Sequence, residues 1–169
     1  NLLSLVSTIL DFTDIEKEKL QLSDGNYSVR DMLQDILPQA EFEADRKNLE
    51  LRILIDETIP QRLIGDVARI KQILDNLISN AIKYTNQGFV EIKLSWETQE
   101  ENNGNLIVAI RDSGIGMKAG DVQKISESFI RFDKEQTKNI QGIGLGLTIV
   151  TRLLHLMDSQ LEVESEPGA

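Results

Sequence analysis

Hydrophobic positions recur along this chain with two different periods. Over residues 1–22, Leu2, Leu5, Val6, Ile9, Phe12 (or Thr13) and Leu20 return at three- and four-residue steps, while Asp14, Glu16, Lys17 and Lys19 fill the other side. That is the pattern of an amphipathic helix. A stripe with no partner nearby in sequence must be covered elsewhere, so this helix is expected to pack on a second copy of itself or on a neighbouring helix. Ser23-Asp24-Gly25-Asn26 reads as the turn that stops it. A second helix is predicted from Ser28 to about Lys47, with Met32, Leu33, Ile36, Leu37, Ala40 and Phe42 apolar and Pro38 expected to bend it. Leu49 to Ile55 switches to a period of two and reads as a strand, closed by Thr58-Ile59-Pro60.

Asp66 then caps a long helix to about Tyr84, followed by the turn Thr85-Asn86-Gln87-Gly88. Phe89 to Trp96 and Leu106 to Arg111 are predicted strands joined by an acidic, Asn-rich hairpin loop. Beyond Asp112 the periodicity dissolves into Gly and charge, interrupted by one short amphipathic piece, ISESFIRF. A last helix from Leu145 to Met157 and a last strand from Gln160 to Ser165 complete the order. Strands and helices mixed in this way predict a two-layer α/β sandwich with a mostly antiparallel sheet.

Composition narrows the function classes. The chain has 169 residues, 18 Lys plus Arg against 28 Asp plus Glu, a net charge of −10, one His and no Cys. The length suits one domain with a short appendage, and opening on Asn1 it is expected to belong to something longer. Without Cys there is neither a disulfide framework nor a thiolate metal site. The acidic balance argues against nucleic acid as a partner, where a clustered basic surface supplies affinity. No apolar run approaches the roughly 20 residues of a membrane span, so the chain is expected to be soluble. The single His leaves no poly-His metal site.

Three constellations could carry chemistry. On the long helix, Asn76, Asn80 and Lys83 fall within about 60° of one another, Arg69 and Gln72 share their stripe, and Ile70, Ile73, Leu74, Leu77, Ile78 and Ala81 cover the opposite side. A solvated helix face is the plain explanation, but Asn is a poor interior helix former and such a face is better served by Glu, Lys or Gln. An Asn carbonyl is a hard, neutral oxygen ligand that suits Mg²⁺ on a polyphosphate, and a Lys one turn on meets phosphate as a point charge. Asp112-Ser113-Gly114-Ile115-Gly116, at a strand end, reads either as an ordinary turn or as a place where a ligand approaches the backbone while the carboxylate accepts from an amine such as that of adenine. Gly142-Ile143-Gly144-Leu145-Gly146-Leu147 precedes a helix start and could hold phosphate there, or serve as a hinge. Its spacing is neither the dinucleotide fingerprint nor a Walker A loop, and the protein-kinase motif set is absent.

Together, in this order, the three resemble the ATP-binding catalytic domain of sensor histidine kinases within the GHKL ATPase superfamily. LDNLISNAIKYT resembles the N box, DSGIGM the first glycine box, ESFIRF the F box and GIGLGL the second glycine box, and LEVESEPG is similar to the closing stretch of the domain in hybrid kinases. ILDFTDIEKEKLQL is similar to the second helix of the dimerisation hairpin, which implies a boundary between residues 1–23 and a catalytic domain over 24–169 whose last strands are missing. The resemblance implies a GHKL (Bergerat) sandwich with ATP and Mg²⁺ as cofactors. Asn80 would ligate Mg²⁺ with Asn76 beside it, Lys83 would contact phosphates, and Tyr84 would pack on base or sugar. Asp112 would hold the adenine amine while Gly114, Ile115 and Gly116 line the base. Phe129 and Phe132 would anchor a lid over residues 118–141, Arg131 would contact phosphate, and Gly142, Gly144 and Gly146 would wrap the triphosphate above Leu145 and Leu147.

The implied function is transfer of the ATP γ-phosphoryl to a His on a homodimeric hairpin and relay to a receiver-domain Asp. That places the chain in the cytoplasm, in a protein anchored in a bacterial inner membrane. The acceptor His belongs to a hairpin helix the chain does not contain. His155, deep in the last helix, reads as a partly buried structural residue, and Asp158-Ser159 stands where the family has a glycine pair. Two alternatives belong to other classes: a GHKL ATPase clamp and a degenerate interaction module. A clamp needs a catalytic Glu in the N box, and Gln72-Ile73-Leu74-Asp75-Asn76 offers none. The glycine boxes disfavour the module.

Overall fold

A computed structural model describes residues 21–100, 103–131 and 145–166; the helix expected over residues 1–22 therefore falls almost wholly outside the described residues. Two compact units result, one over Asp24–Gly116 and one over Met117–Ser165.

The first unit runs β1 (Gly25–Tyr27), α1 (Val29–Arg46), β2 (Glu50–Ile55), β3 (Leu63–Gly65), α2 (Val67–Tyr84), β4 (Phe89–Glu100) and β5 (Asn103–Asp112). β2, β4 and β5 form a sheet in that order, β2 parallel to β4 with Glu50 opposite Phe89, and β5 antiparallel to β4 with Asp112 opposite Val90. β1 and β3 make a separate antiparallel pair. The mixed α/β sandwich is thus the expected one. Val90, Ile92 and Leu94 are fully buried and share a core with Met32, Leu33, Ile36, Leu74, Ile78 and Ala81 from the two helices. Burial of this apolar face, at roughly 25 cal/mol per Å², is what holds the helices to the sheet.

Local chemistry accounts for the helix ends. Ser28 accepts from the Asp31 amide and starts α1. At its other end Leu49 N donates to the Ala44 carbonyl and Asn48 N to that of Asp45, with Asn48 at φ +54°. This is a Schellman stop, in which an Asn tolerates the left-handed position usually given to Gly. α1 is unbroken through Pro38, and Gln34, whose carbonyl loses its intrahelical donor there, lies on the exposed side.

Several expectations are corrected. The cluster over residues 23–26 is in part strand β1, because Gly25 and Asn26 pair with Gly65 and Ile64. Phe42 is 59% exposed. The buried stripe of α1 steps Ile36, Ala40, Ala44, and Phe42 falls about 200° from Ala40 on a helix, where Arg46 stacks over its ring at 5.8 Å. The hairpin strands are longer than expected, consuming most of the acidic loop, with a bulge between Thr98 and Glu100.

In the second unit, α3 (Ala119–Arg131) occupies part of the irregular stretch expected there, extending well before the short amphipathic piece, and α4 (Leu145–Leu156) follows. Ile149, Val150 and Leu153 are fully buried. His155 is exposed rather than partly buried, since two residues past Leu153 a helical side chain points away from that stripe. Residues 160–165 pair with no strand among the described residues, although Leu161 and Val163 are half-buried and Glu162 and Glu164 exposed. Alternation alone does not make a strand without a ladder partner.

Candidate functional site

α2 positions the first group of candidates. Asp66, itself buried, accepts from the Arg69 amide at 3.2 Å and sets the helix start. The apolar stripe through Ile73, Leu74, Ile78, Ala81 and Ile82 is buried, which turns Arg69, Gln72, Asn76, Asn80 and Lys83 the other way. Arg69 Nη1 donates to Gln72 Oε1 at 2.8 Å. Asn76 donates its side-chain amide to the Gln72 carbonyl at 2.8 Å, which leaves its oxygen as the atom to meet a ligand. Asn80 is half-buried with no side-chain hydrogen bond among the described residues. Lys83 is exposed, its ammonium 5.2 Å from the centroid of the Tyr84 ring, and Tyr84 is half exposed.

The end of α2 meets the Asp112–Gly116 segment directly. Asp112 Oδ1 accepts from the Gly114 amide at 2.9 Å. Thr85 Oγ1, which donates to the Ala81 carbonyl at 2.8 Å, also reaches Asp112 Oδ1 at 3.4 Å. Asp112 Oδ2 is left with no hydrogen-bond partner among the described residues. The Ile115 amide donates to the Tyr84 carbonyl at 3.3 Å, and the Ile115 side chain is 60% exposed. Gly114 is glycine for a reason the sequence did not suggest. A Cβ there would stand 2.6 Å from the Tyr84 carbonyl oxygen, 2.6 Å from Asp112 Oδ1 and 2.9 Å from Thr85 Oγ1. The missing side chain lets the loop close on the helix end, in addition to any room it gives a ligand. Gly116 has φ +64°, where a side chain is strained.

Three residues of this arrangement escaped sequence reasoning. Thr85, fully buried, links the helix end to Asp112. Ser113 ties the loop to β4: its hydroxyl accepts from Phe89 N at 2.9 Å and donates to the Gln87 carbonyl at 3.2 Å. Lys47 donates to the carbonyls of Ile82, Lys83 and Thr85 at 2.7, 2.8 and 3.0 Å. No local pattern could have revealed Lys47, whose partners lie some 35 residues onward.

Partial burial raises the Asp75 carboxyl from its ordinary value, and Lys71 pulls it partway back. No cluster of three or more metal-ligating His, Asp or Glu side chains exists among the described residues. The donor set on α2, neutral amide oxygens of Asn76 and Asn80 beside Lys83, suits a cation that arrives with its own anionic ligand. Of the other candidates, Gly142, Gly144 and Phe132 lie outside the described residues, as do the side chains of Phe129 and Arg131 on α3 and of Leu145 at the start of α4. Gly146 and Leu147 are half-buried in the first turn of α4.

The chain belongs to the family of histidine kinase-, DNA gyrase B- and HSP90-like ATPases, whose model matches residues 65–169. It is 39% identical over 168 residues to the sensor protein GacS of Pseudomonas syringae pv. syringae, covering 99% of this chain and 18% of that protein. It is 35% identical over 167 residues to the sensor histidine kinase RcsC of Escherichia coli K12, covering 99% of this chain and 17% of RcsC. The chain thus spans less than a fifth of the length of these relatives. Among solved structures, full-length ShkA in complex with AMPPNP superposes with a TM-score of 0.72 at 29% identity, over 93% of this chain and 31% of that one. The Acinetobacter baumannii histidine kinase AdeS superposes with a TM-score of 0.73 at 23% identity, over 99% of this chain and 73% of that one; that likeness concerns the fold alone.

Proposed function

We propose that this chain is the nucleotide-binding part of a sensor histidine kinase, and that the segment from Asn76 to Tyr84, together with Asp112 to Gly116, holds MgATP. The observation that carries the reading is the state of the Asp112 carboxylate. One oxygen is committed to the Gly114 amide and Thr85, and among the described residues the other is without a hydrogen-bond partner, at the end of a helix whose Asn80 side chain also lacks one there. A fixed acceptor with an open lone pair suits the adenine amino group. Tyr84 and Ile115, both more than half open or close to it, offer apolar surface for the base. Asn80, with Asn76 beside it, supplies neutral oxygen to Mg²⁺, and Lys83 meets phosphate oxygens.

Held there by Asn80 with Asn76 beside it, Mg²⁺ would supply neutralisation of phosphate charge and orientation of the phosphates. The protein residues position and neutralise: Lys83 offsets negative charge in a chain of net −10. By the family resemblance alone, Arg131, Gly142, Gly144, Leu145, Gly146 and Leu147 would serve the phosphates, and Phe129 and Phe132 would anchor a lid over residues 118–141. In the whole protein the bond between the β–γ bridging oxygen and the γ-phosphorus breaks, ADP leaves, and the phosphoryl forms a P–N bond on a hairpin histidine, from which it passes to a receiver aspartate. Residues 1–23 then belong to the dimerisation hairpin, and the protein works as a homodimer anchored at a membrane. Among the described residues no helix is long and apolar enough to cross one.

Calorimetric titration with a non-hydrolysable ATP analogue tests the site. The expected result is binding that weakens about tenfold or more, about 1.4 kcal/mol per factor of ten, in Asn80→Ala and on chelation of Mg²⁺. In Asp112→Asn, ADP should weaken equally with and without the metal. No heat from the unaltered chain overturns the reading and favours an interaction module instead.

A further inference from the structure

The last carbonyls of a helix have no intrahelical donors and must find others. At the end of α2 every one is accounted for, and by three different parts of the chain. The Ala81 carbonyl takes the hydroxyl of Thr85 and the Tyr84 carbonyl takes the amide of Ile115. Those of Ile82 and Lys83, with the Thr85 carbonyl just beyond, all take protons from the single ammonium of Lys47. An ammonium has three protons, and Lys47 spends one on each carbonyl.

Lys47 is held for this task. It is the residue at which α1 ends, immediately before the left-handed Asn48 and the buried Leu49. The Schellman stop therefore fixes its backbone from both sides, through the Asn48 and Leu49 amides and its own amide to the Ala44 carbonyl. A cation at a helix C-terminus is also favoured by the helix dipole. The carbonyls it gathers lie on both sides of Tyr84, and Tyr84 and Thr85 are the residues that meet Asp112, Gly114 and Ile115.

We propose that Lys47 is a positioning residue for the nucleotide site: by collecting the carbonyls at the exit of α2 it holds Tyr84 and Thr85 where Gly114 and Ile115 can close against them. It acts through the backbone that carries Lys83 and presents the Tyr84 carbonyl. This inference rests on the nucleotide reading above for its functional consequence, but not for its structural one.

The test is site-resolved amide hydrogen exchange on the nucleotide-free chain and on Lys47→Met, which keeps most of the stem and removes the donors. Exchange at Ile115 is expected to accelerate about tenfold or more, while Ile92 in the middle of β4 keeps its protection, since local opening and global unfolding are separable in this readout. Affinity for ADP should fall about tenfold, by the same factor with and without Mg²⁺, because the floor of the site and not its metal end is loosened. Lys47→Arg, which restores a cation with several donors, should return Ile115 exchange to within about threefold of the unaltered chain. It serves as the decisive variant if Lys47→Met does not fold. Unchanged exchange at Ile115 overturns the proposal, as does equal acceleration at Ile115 and Ile92, or an Arg variant no better than Met. If the unaltered chain binds no nucleotide, the function proposed above fails, while the exchange result still decides whether Lys47 holds the loop.

Discussion

Replacing Gly114 by alanine should be expensive, and the structure says how expensive. The added Cβ would stand 2.6 Å from the Tyr84 carbonyl oxygen, about 0.4 Å inside the 3.0 Å that real Cβ contacts respect. It would also crowd Asp112 Oδ1 and Thr85 Oγ1. A carboxylate can swing aside, but the Tyr84 carbonyl is backbone at the end of a packed helix, so the loop has to retreat. Overpacking of this kind costs about 1–3 kcal/mol, and stretching the 3.3 Å bond from the Ile115 amide forfeits up to about 1 kcal/mol more. Against this, alanine lowers the entropy of the unfolded chain by about 0.4–1 kcal/mol. The net expectation is about 2 kcal/mol of destabilisation. Gly120, in the first turn of α3, is the control: nothing lies within 4 Å of its missing Cβ, so Gly120→Ala should gain about 0.5–1 kcal/mol. Urea unfolding followed by the fluorescence of Trp96, which sits on β4 in the same unit as Gly114, measures the loss; thermal melting by circular dichroism measures the control. A Gly114→Ala chain as stable as the unaltered one would refute the reasoning, because the clash is with backbone and has no cheap escape.

Two further outcomes are expected at other positions. Asp158 adopts φ +49° in the stop of α4, where Ser159 N reaches the Leu154 carbonyl and Asp158 N that of His155. Asp158→Gly should raise stability by about 0.5–1 kcal/mol, and a lower melting temperature would contradict this. Asp75 has its carboxyl raised by burial, so the folded state prefers it protonated. Stability from this group is present below the unfolded carboxylate pKa, is lost as pH rises through the raised folded value, and stays lost above it. Asp75→Asn should therefore melt higher than the unaltered chain at pH 7, with the difference shrinking below pH about 4; a difference that does not vary with pH would exclude the titration as its cause.

What could be read from the sequence was whatever local chemistry decides. α2 was legible to within a residue at both ends because an Asp cap, a clean 3.6-residue period and a turn cluster agree over residues 66–88. The polar stripe of Asn76, Asn80 and Lys83 came from the same period. Phe42 and His155 were misplaced because being apolar, or adjacent to apolar residues, was weighed above angular phase. Gly25 and Asn26 looked like part of a turn because their strand partners, Gly65 and Ile64, lie far along the chain. The parallel pairing of β2 with β4 was invisible for the same reason, and so was Lys47.

The close approach of Gly114 to the end of α2 also bears on the thermodynamics of any ligand that settles there. The Asp112–Gly116 segment is secured before anything binds: to β4 through Ser113, to Tyr84 through the Ile115 amide, and to itself through the Asp112 carboxylate. Loops that order on binding subtract that ordering from the affinity. Here the floor arrives already ordered. At this floor the entropy left to lose on binding resides in the exposed side chains of Tyr84, Ile115 and Lys83 rather than in the backbone beneath them.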